Sequence, residues 1–159
     1  MAYRCIHSFE DWDIIGVFEQ DGITKIQFCP KGTHSLHKHC GAFSSAIEKF
    51  LRGETNYVEL PISSKVELTQ FQRKVYTLLQ EIPRGKIVTY GELAKRLNSS
   101  PRAVGQALKH NPLPLVFPCH RVVGRHSIGG FSEGIDLKLA LLRMEGTGSW
   151  AISSSNSYL

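Results

Sequence analysis

Residues 89–108 read TYGELAKRLNSSPRAVGQAL, and their capping residues predict two short helices joined by a tight turn. Thr89 followed by Glu92 is a capping box, the pattern in which each residue bonds the other's backbone at a helix start. Ser100 followed by Pro101 is an N-cap with proline at the first helical position. Two helices with so short a connection are typical of a helix-turn-helix. The alternative is a small helical bundle with no such role.

Helix signals of the same kind lie on both sides of this stretch. Residues 69–72 form a second capping box, and the helix that it opens is predicted to end at residues 83–85, which read PRG. Residues 42–52 carry apolar side chains at helical spacing and end at Gly53. A last helix is predicted over residues 136–145. The chain from residue 65 onward is therefore predicted to be mostly helical.

The N-terminal part has a mixed pattern. Residues 13–18 and 23–28 are short apolar-rich runs around a turn that contains Asp21-Gly22, which predicts a β-hairpin. Residues 31–40 are rich in His, Gly and Ser and are predicted to be a loop, and residues 54–64 a further extended stretch and linker. The sequence thus indicates an α/β N-terminal domain.

Positive charge is concentrated in the second half of the chain. The net charge is +5, and residues 73–125 hold ten Lys or Arg against two Glu, so this segment carries +8 and the remainder −3. Such asymmetry favours contact with a polyanion, above all a phosphate backbone. A solvated basic surface with no partner is the alternative.

The second helix of the pair is the predicted DNA contact. A helix-turn-helix sets this helix into a groove of DNA. It is expected to expose Arg102, Gln106 and Lys109, while the small Ala103 and Gly105 permit close approach.

A reactive cysteine follows this helix. Residues 113–118 read LPLVFP, which predicts a buried and extended segment that delivers Cys119, His120 and Arg121. A thiol becomes a strong nucleophile when a neighbouring base or positive charge lowers its pKa. Adjacent residues of an extended chain point to opposite sides, so contact between His120 and Cys119 is expected to pass through a water. A structural Cys-His pair is the alternative.

The cysteines also bear on compartment and metal binding. No apolar run approaches the ~20 residues of a membrane span, and residues 1–5 lack the pattern of a secretory signal. We therefore expect a cytoplasmic or nuclear protein with four free thiols.

Several side chains offer zinc ligand types, but their spacing fits no common finger, so no metal is predicted. They are Cys5, Cys29, His34, His37, His39 and Cys40.

Several motifs resemble those of one family, the O6-alkylguanine-DNA alkyltransferases. Residues 111–114 (NPLP), 118–123 (PCHRVV) and 129–132 (GGFS) look like its active-site signature. Residues 88–94 (VTYGELA) and 102–108 (RAVGQAL) look like its helix-turn-helix. The resemblance covers residues 69–146, about half of the chain.

The resemblance implies a chemistry. Cys119 would attack the alkyl carbon of O6-alkylguanine in flipped-out duplex DNA and keep the alkyl group, so that one protein repairs one base. Glu145 would orient His120, and these two, a water and Cys119 would form the relay. Tyr90 would protonate the leaving guanine, and Asn111 would brace the active-site segment. Without the family match, Glu145 is an exposed acid at a helix end and Tyr90 a core residue.

The resemblance also assigns contact residues. Arg102 would fill the space that the flipped base leaves in the stack. The guanine pocket would be lined by Phe131, Ser132, Val122 and Val123. DNA would be bound by Tyr90, Arg102, Ala103, Gly105, Gln106, Lys109 and Arg121. Glu133 departs from the glycine that the family often has there, so a carboxylate is expected at the pocket rim.

The expected organisation is that of the family. Residues 1–64 would form a ribonuclease-H-like α/β domain, residues 65–146 a mostly α, winged helix-turn-helix-like domain, and residues 147–159 a flexible tail. We expect a monomer that acts on double-stranded DNA, without a cofactor and without a membrane.

Three other functions remain open at this point. A lesion-binding alkyltransferase-like protein would recognise the same base without transfer, although it would not need Cys119. A helix-turn-helix regulator would have no use for the Cys-His-Arg segment. A cysteine hydrolase would need an oxyanion hole and turnover, and its basic helix would be idle.

Overall fold

The computed structural model describes residues 2–33 and 40–147. The chain forms two compact units, of which the first contains Met1–Glu67 and Pro112–Val116 and the second Leu68–Asn111 and Phe117–Leu159. The sequence placed a boundary after residue 64, close to where the first unit ends. The return of residues 112–116 to the first unit was not predicted.

In its described residues, the first unit contains a three-stranded antiparallel sheet and one helix. Strands β1 (Tyr3–Phe9), β2 (Trp12–Glu19) and β3 (Gly22–Pro30) are neighbours in that order, and helix α1 spans Gly41–Leu51. The predicted hairpin is confirmed, since β2 and β3 pair antiparallel up to Glu19 and Gly22. Strand β1 was missed because it lacks a clean apolar alternation, and its pairing with β2 along its whole length defines it.

Helix α1 packs against the sheet at a glycine. A Cβ atom on Gly16 would lie 2.7 Å from the ring of Phe43, and the rings of Phe18 and Phe43 meet edge to face. Phe43, Ile47 and Phe50 are fully buried from the helix side. The absent side chain at position 16 therefore lets an aromatic residue approach the strand.

Residues 113–118 are buried as predicted, but residues 115 and 116 form a turn, so the segment is not extended and that part of the prediction is corrected. Leu113, Leu115 and Val116 are 2% exposed or less, and Leu115 has a φ of 76° within a turn. The backbone oxygens of Pro112 and Leu115 accept hydrogen bonds from Ile26 and Val58. These bonds to the first unit fix the turn, and an apolar pattern carries no information about them.

The expectation of four free thiols is wrong for two of them. Cys5 of β1 and Cys40, which precedes α1, form a disulfide, with their Cα atoms 5.5 Å apart. Cys29 and Cys119 are free. The two half-cystines are 35 residues apart in sequence, and it is the packing of α1 beside β1 that brings them within bonding range.

Reduction of this disulfide is expected to destabilise the protein by about 2–4 kcal/mol, because the bond restricts the unfolded chain across a long loop. The measurement is thermal unfolding with and without dithiothreitol. A Cys5→Ala/Cys40→Ala variant is the control and should not respond to the reductant. An unchanged unfolding temperature of the wild-type protein on verified reduction would contradict the prediction.

The second unit contains the predicted helices. They are α2 (Gln70–Glu81), α3 (Tyr90–Arg96), α4 (Pro101–Lys109) and α5 (Ile135–Met144). Both capping boxes are formed, by Thr69 with Gln72 and by Thr89 with Glu92, and the Ser100 side chain caps α4. Two short parallel strands, β4 (Val88–Thr89) and β5 (Val122–Val123), were not predicted. No helix within residues 2–33 and 40–147 is long and apolar enough to cross a bilayer.

Candidate active site

The predicted Cys119-His120-Arg121 segment is a single turn of 3-10 helix rather than a strand. Arg121 N–H donates to the oxygen of Pro118 at 3.3 Å, and Cys119 N–H to that of Phe117 at 2.7 Å. Three residues per turn send successive side chains in three directions, so they do not alternate between two faces. All three side chains are buried.

His120 and Arg121 meet on one carboxylate. His120 Nε2 lies 2.9 Å from Glu145 Oε2. Arg121 donates from Nε to Oε1 at 2.9 Å and from Nη2 to Oε2 at 2.7 Å, and its Nη1 donates to the oxygen of Ile82 at 2.7 Å. Glu145 is thus brought from the end of α5 into contact with both residues that follow the cysteine.

The charges in this cluster are set by burial and by the partners. Burial favours the neutral form of Glu145, but His120 and Arg121 outweigh it and lower its pKa to about 2. Burial lowers the pKa of His120 below its usual value, against the opposite pull of Glu145. At neutral pH the imidazole is therefore uncharged and hydrogen bonds the carboxylate through Nε2, so a proton that it accepts must enter at Nδ1.

The expectation that Arg121 contacts DNA is corrected. Its side chain has no exposure, and its guanidinium is bonded to Glu145 and Ile82. A bidentate pair with a carboxylate is the geometry that the guanidinium fork favours. Arg121 therefore holds Glu145 in place within the unit.

The thiol of Cys119 is held at rest in its protonated form. Burial raises its pKa to about 11, although the Asn111 amide, which hydrogen bonds the sulfur, and Lys138 act in the other direction. The sequence led us to expect a lowered pKa, but desolvation dominates here. Asn111 Nδ2 also donates to the oxygen of Phe117 at 2.9 Å. Attack by this sulfur therefore requires a base.

Tyr90 lies against the loop that follows β5. Its hydroxyl donates to the oxygen of Gly130 at 3.3 Å, and burial raises its pKa. Gly129 has a φ of 76°, and a Cβ atom there would lie 2.8 Å from the tyrosine ring. A glycine at position 129 is therefore required both by the backbone and by the ring.

Sequence reasoning missed Lys138, which has no exposure. Its ammonium donates to the oxygens of Val122, Ile128 and Gly130 at 2.6, 2.7 and 3.0 Å. The same nitrogen lies 6.0 Å from the ring centroids of Tyr90 and Phe131. The signal was present, because Lys138 is three and four residues before Leu141 and Leu142 and so falls on the buried face of α5.

The predicted pocket residues fall into two groups. Val122 and Val123 are buried, and Val123 packs with Ile87 and Leu142. Phe131 and Ser132 are on the more exposed loop, where the Ser132 hydroxyl donates to the oxygen of Lys109 at 3.3 Å. The side chain of Val123 belongs to the core. At this position only the backbone of β5 is therefore available to line a pocket.

Helix α4 presents the polar face that the sequence predicted. Arg102, Gln106 and Lys109 are exposed, and Ala103 and Gly105 are partly exposed between them. A Cβ atom on Gly105 would meet no atom within 4 Å. The fold therefore does not require glycine at this position.

The zinc ligand types named above are not assembled in the described part of the chain. Cys5 and Cys40 are bonded to each other, and the residues 2–33 and 40–147 contain no group of three His, Cys, Asp or Glu suited to a metal ion. His34, His37 and His39 lie outside the described residues.

A buried thiol, followed in the chain by a neutral imidazole that an ionised carboxylate orients, is typical of proteins with a cysteine nucleophile. In this protein a pair of short helices precedes that thiol. Residues 70–147 match the family model for the 6-O-methylguanine DNA methyltransferase DNA-binding domain. The chain belongs to the family of methylated-DNA–protein-cysteine methyltransferases.

Relatives in archaea and in a bacterium support this assignment. A methyltransferase of this name from Thermococcus kodakarensis is 54% identical, with 76% of this chain and 78% of the relative covered. One from Methanocaldococcus jannaschii is 55% identical over 53% of this chain, and the matched part spans half of that relative. The crystal structure of O6-methylguanine-DNA methyltransferase from Pyrococcus kodakaraensis superimposes with a TM-score of 0.76 and 33% identity, covering 92% of this chain and 99% of that one. Mycobacterium tuberculosis OGT in complex with DNA gives a TM-score of 0.75 at 25% identity, with 90% and 92% covered.

Proposed function

We propose that this protein repairs DNA by moving the alkyl group of O6-alkylguanine irreversibly onto Cys119. The observation that carries the proposal is the position of one thiol, hydrogen bonded by Asn111, in the same turn as a neutral His120 that Glu145 orients. The names of the relatives agree with this activity.

The transfer step needs only groups of the protein and of the lesion, and each bond that forms is matched by one that breaks. The thiol proton passes to Nδ1 of His120, directly or through a water, and the sulfur attacks the alkyl carbon in line with the bond to O6. The S–C bond forms while the C–O6 bond breaks, and its electron pair leaves on guanine, which takes a proton from the Tyr90 hydroxyl. A thioether has no ready leaving group, so the protein acts once and needs no cofactor.

Duplex DNA would be bound on helix α4. The exposed Arg102 and Lys109 supply the positive charge that phosphates attract, and Arg102 would enter the stack where the base leaves. The Mycobacterium tuberculosis relative with this fold was crystallised with DNA. Tyr90 at the start of α3 would stand on the same side as the flipped base. We further propose that the protein binds as a monomer.

The glycine of α4 provides a test of this surface. Gly105→Ala is expected to stabilise the folded protein by about 0.5–1 kcal/mol, since alanine favours helix and space is available. The same methyl group is expected to weaken duplex binding by about 1–3 kcal/mol by holding the DNA away. Fluorescence anisotropy with a labelled duplex measures the effect.

Gly41→Ala on α1 is the matched control, because a Cβ atom there also meets open space. It is expected to leave DNA affinity unchanged. If both variants bound DNA as tightly as the wild-type protein, α4 would not be the binding surface.

The finer fold assignment is also a proposal. The antiparallel order of β1, β2 and β3 followed by α1 supports a ribonuclease-H-like first unit. The pair α3 and α4, with two residues between the caps of the two helices, supports the helix-turn-helix part of a winged domain.

The activity is tested by intact-protein mass after equimolar mixing with a duplex that contains O6-methylguanine. The expected result is a gain of one methyl group, located on Cys119 by peptide mapping, with guanine restored and no second turnover. The same duplex with unmodified guanine is the control. Tight binding of the lesion without a gain in mass would overturn transfer and indicate a lesion-binding protein.

A further inference from the structure

Tyr76 of α2 is a buried tyrosine that no step of the proposed reaction uses. It is 1% exposed, and its hydroxyl donates to the backbone oxygen of Ala107 in α4 at 2.6 Å. In a continuing helix that oxygen would accept from the N–H four residues later. Because α4 ends, the Asn111 N–H donates to the oxygen of Leu108 instead. Tyr76 therefore binds a carbonyl group that the end of the helix releases.

The ring of Tyr76 lies against the segment that carries the cysteine. It stacks on the ring of Phe117, with the centroids 4.8 Å apart and the planes at 18°. The backbone oxygen of Phe117 accepts from Cys119 N–H at 2.7 Å and from Asn111 Nδ2 at 2.9 Å. The tyrosine thus supports the residue whose backbone fixes the start of the Cys119 turn.

One side chain therefore joins two parts of the second unit that the reaction must align. Its hydroxyl is bonded to the helix on which we place the duplex, and its ring to the turn that bears the sulfur. Burial raises the pKa of Tyr76, so the hydroxyl remains a donor at neutral pH and well above it. Displacement of reacting groups by about 1 Å can slow a reaction about 100-fold. The separation of α4 from the Cys119 turn is therefore a quantity on which the transfer rate depends.

We propose that Tyr76 is a positioning residue for alkyl transfer, which holds helix α4 and the Cys119 turn at a fixed separation. The inference rests on the proposed function, since it concerns the same site. A lesion in a duplex bound on α4 is presented to the sulfur at the distance that this contact sets. Loss of the hydroxyl should slow transfer from DNA, while the thiol and the exposed face of α4 keep their own properties.

The experiment compares Tyr76→Phe, which loses the hydroxyl and keeps the stacked ring, with the wild-type protein. Single-turnover transfer from an O6-methylguanine duplex, measured over a range of duplex concentrations, separates the limiting rate from the affinity. Tyr76→Phe is expected to lower the limiting rate about tenfold and to leave the affinity unchanged. Thr77→Val is the matched control, because it removes the hydroxyl of the next residue, which bonds the oxygen of Arg73 within α2. It should transfer at the wild-type rate.

A second measurement follows the thiol without DNA. Iodoacetamide alkylates a thiol with loss of iodide, and a Cys29→Ser background leaves Cys119 as the free thiol. Its rate of alkylation should be the same with Tyr76→Phe as without it. If alkylation and transfer from DNA slowed by the same factor, the positioning role would be overturned, because the variant would then have altered the thiol itself.

The outcomes separate this inference from the proposed function. A wild-type limiting rate in folded Tyr76→Phe overturns the inference while alkyl transfer stands, even if the variant is less stable. If the wild-type protein transfers no methyl group, the proposed function fails and this inference fails with it. Thermal unfolding verifies that each variant is folded at the assay temperature. Should Tyr76→Phe not fold, Phe117→Leu removes the stacking from the other side, and a wild-type limiting rate in that variant overturns the inference equally.

Discussion

Cys119→Ser is expected to abolish alkyl transfer while the protein still binds duplex DNA. An alcohol is a far weaker nucleophile than a thiolate and is much harder to ionise. The wild-type thiol itself has a pKa of about 11, so His120 is needed to remove even its proton. A serine at this position would stay protonated beside the same base. Intact mass after incubation with an O6-methylguanine duplex should show no added methyl group.

Cys29→Ser provides the matched control, because Cys29 is the other free thiol and belongs to the first unit. This variant should take up one methyl group at the wild-type rate. A methyl group on the Cys119→Ser protein, at any residue, would show that the acceptor is elsewhere. Loss of transfer in the Cys29 variant with its fold intact would implicate the first unit in the chemistry.

Arg121→Met is expected to lower the free energy of unfolding by about 3–5 kcal/mol, the usual effect of removing one partner of a buried ion pair. Glu145 would keep its charge in a buried site but lose both hydrogen bonds from Arg121, and the oxygen of Ile82 would lose its donor. Urea unfolding followed by circular dichroism gives the measurement. Transfer should slow as well, since the carboxylate that orients His120 would no longer be fixed.

Two further variants show whether the loss of stability in Arg121→Met comes from the buried ion pair. Arg125→Met replaces an exposed arginine and should change stability by less than about 0.5 kcal/mol. Arg121→Met combined with Glu145→Leu removes the stranded charge and should be more stable than Arg121→Met alone. If Arg121→Met were as stable as Arg125→Met, the buried pair would have no part in holding the site together.

The helices of the second unit were predictable because their signals are local. A capping box needs a Thr and a Glu or Gln three residues apart, and both boxes are present in the structure. The hairpin around Asp21 was predictable for the same reason, since the signal of its turn is also local. Strand β1 was not predictable, because its pairing with β2 defines it more than its own residues do.

The roles of Lys138 and Arg121 show where the local pattern stops being informative. The apolar spacing of α5 places Lys138 on the buried face, but only the folded loop shows that three carbonyl oxygens receive its ammonium. Arg121 looks like a basic surface residue in the sequence, and it is the carboxylate of Glu145, 24 residues away, that makes it a buried one.

The sequence by itself determined the capped helices, the hairpin, the residues of the Cys-His-Arg segment and the family to which the chain belongs. Tertiary structure alone decided the turn at Cys119, the Cys5–Cys40 disulfide, the burial of Arg121 and the high pKa of the thiol. The reason is the range of the forces involved. Caps and turns depend on residues a few positions apart, whereas desolvation, ion pairing and disulfide geometry depend on distances that only the folded chain sets.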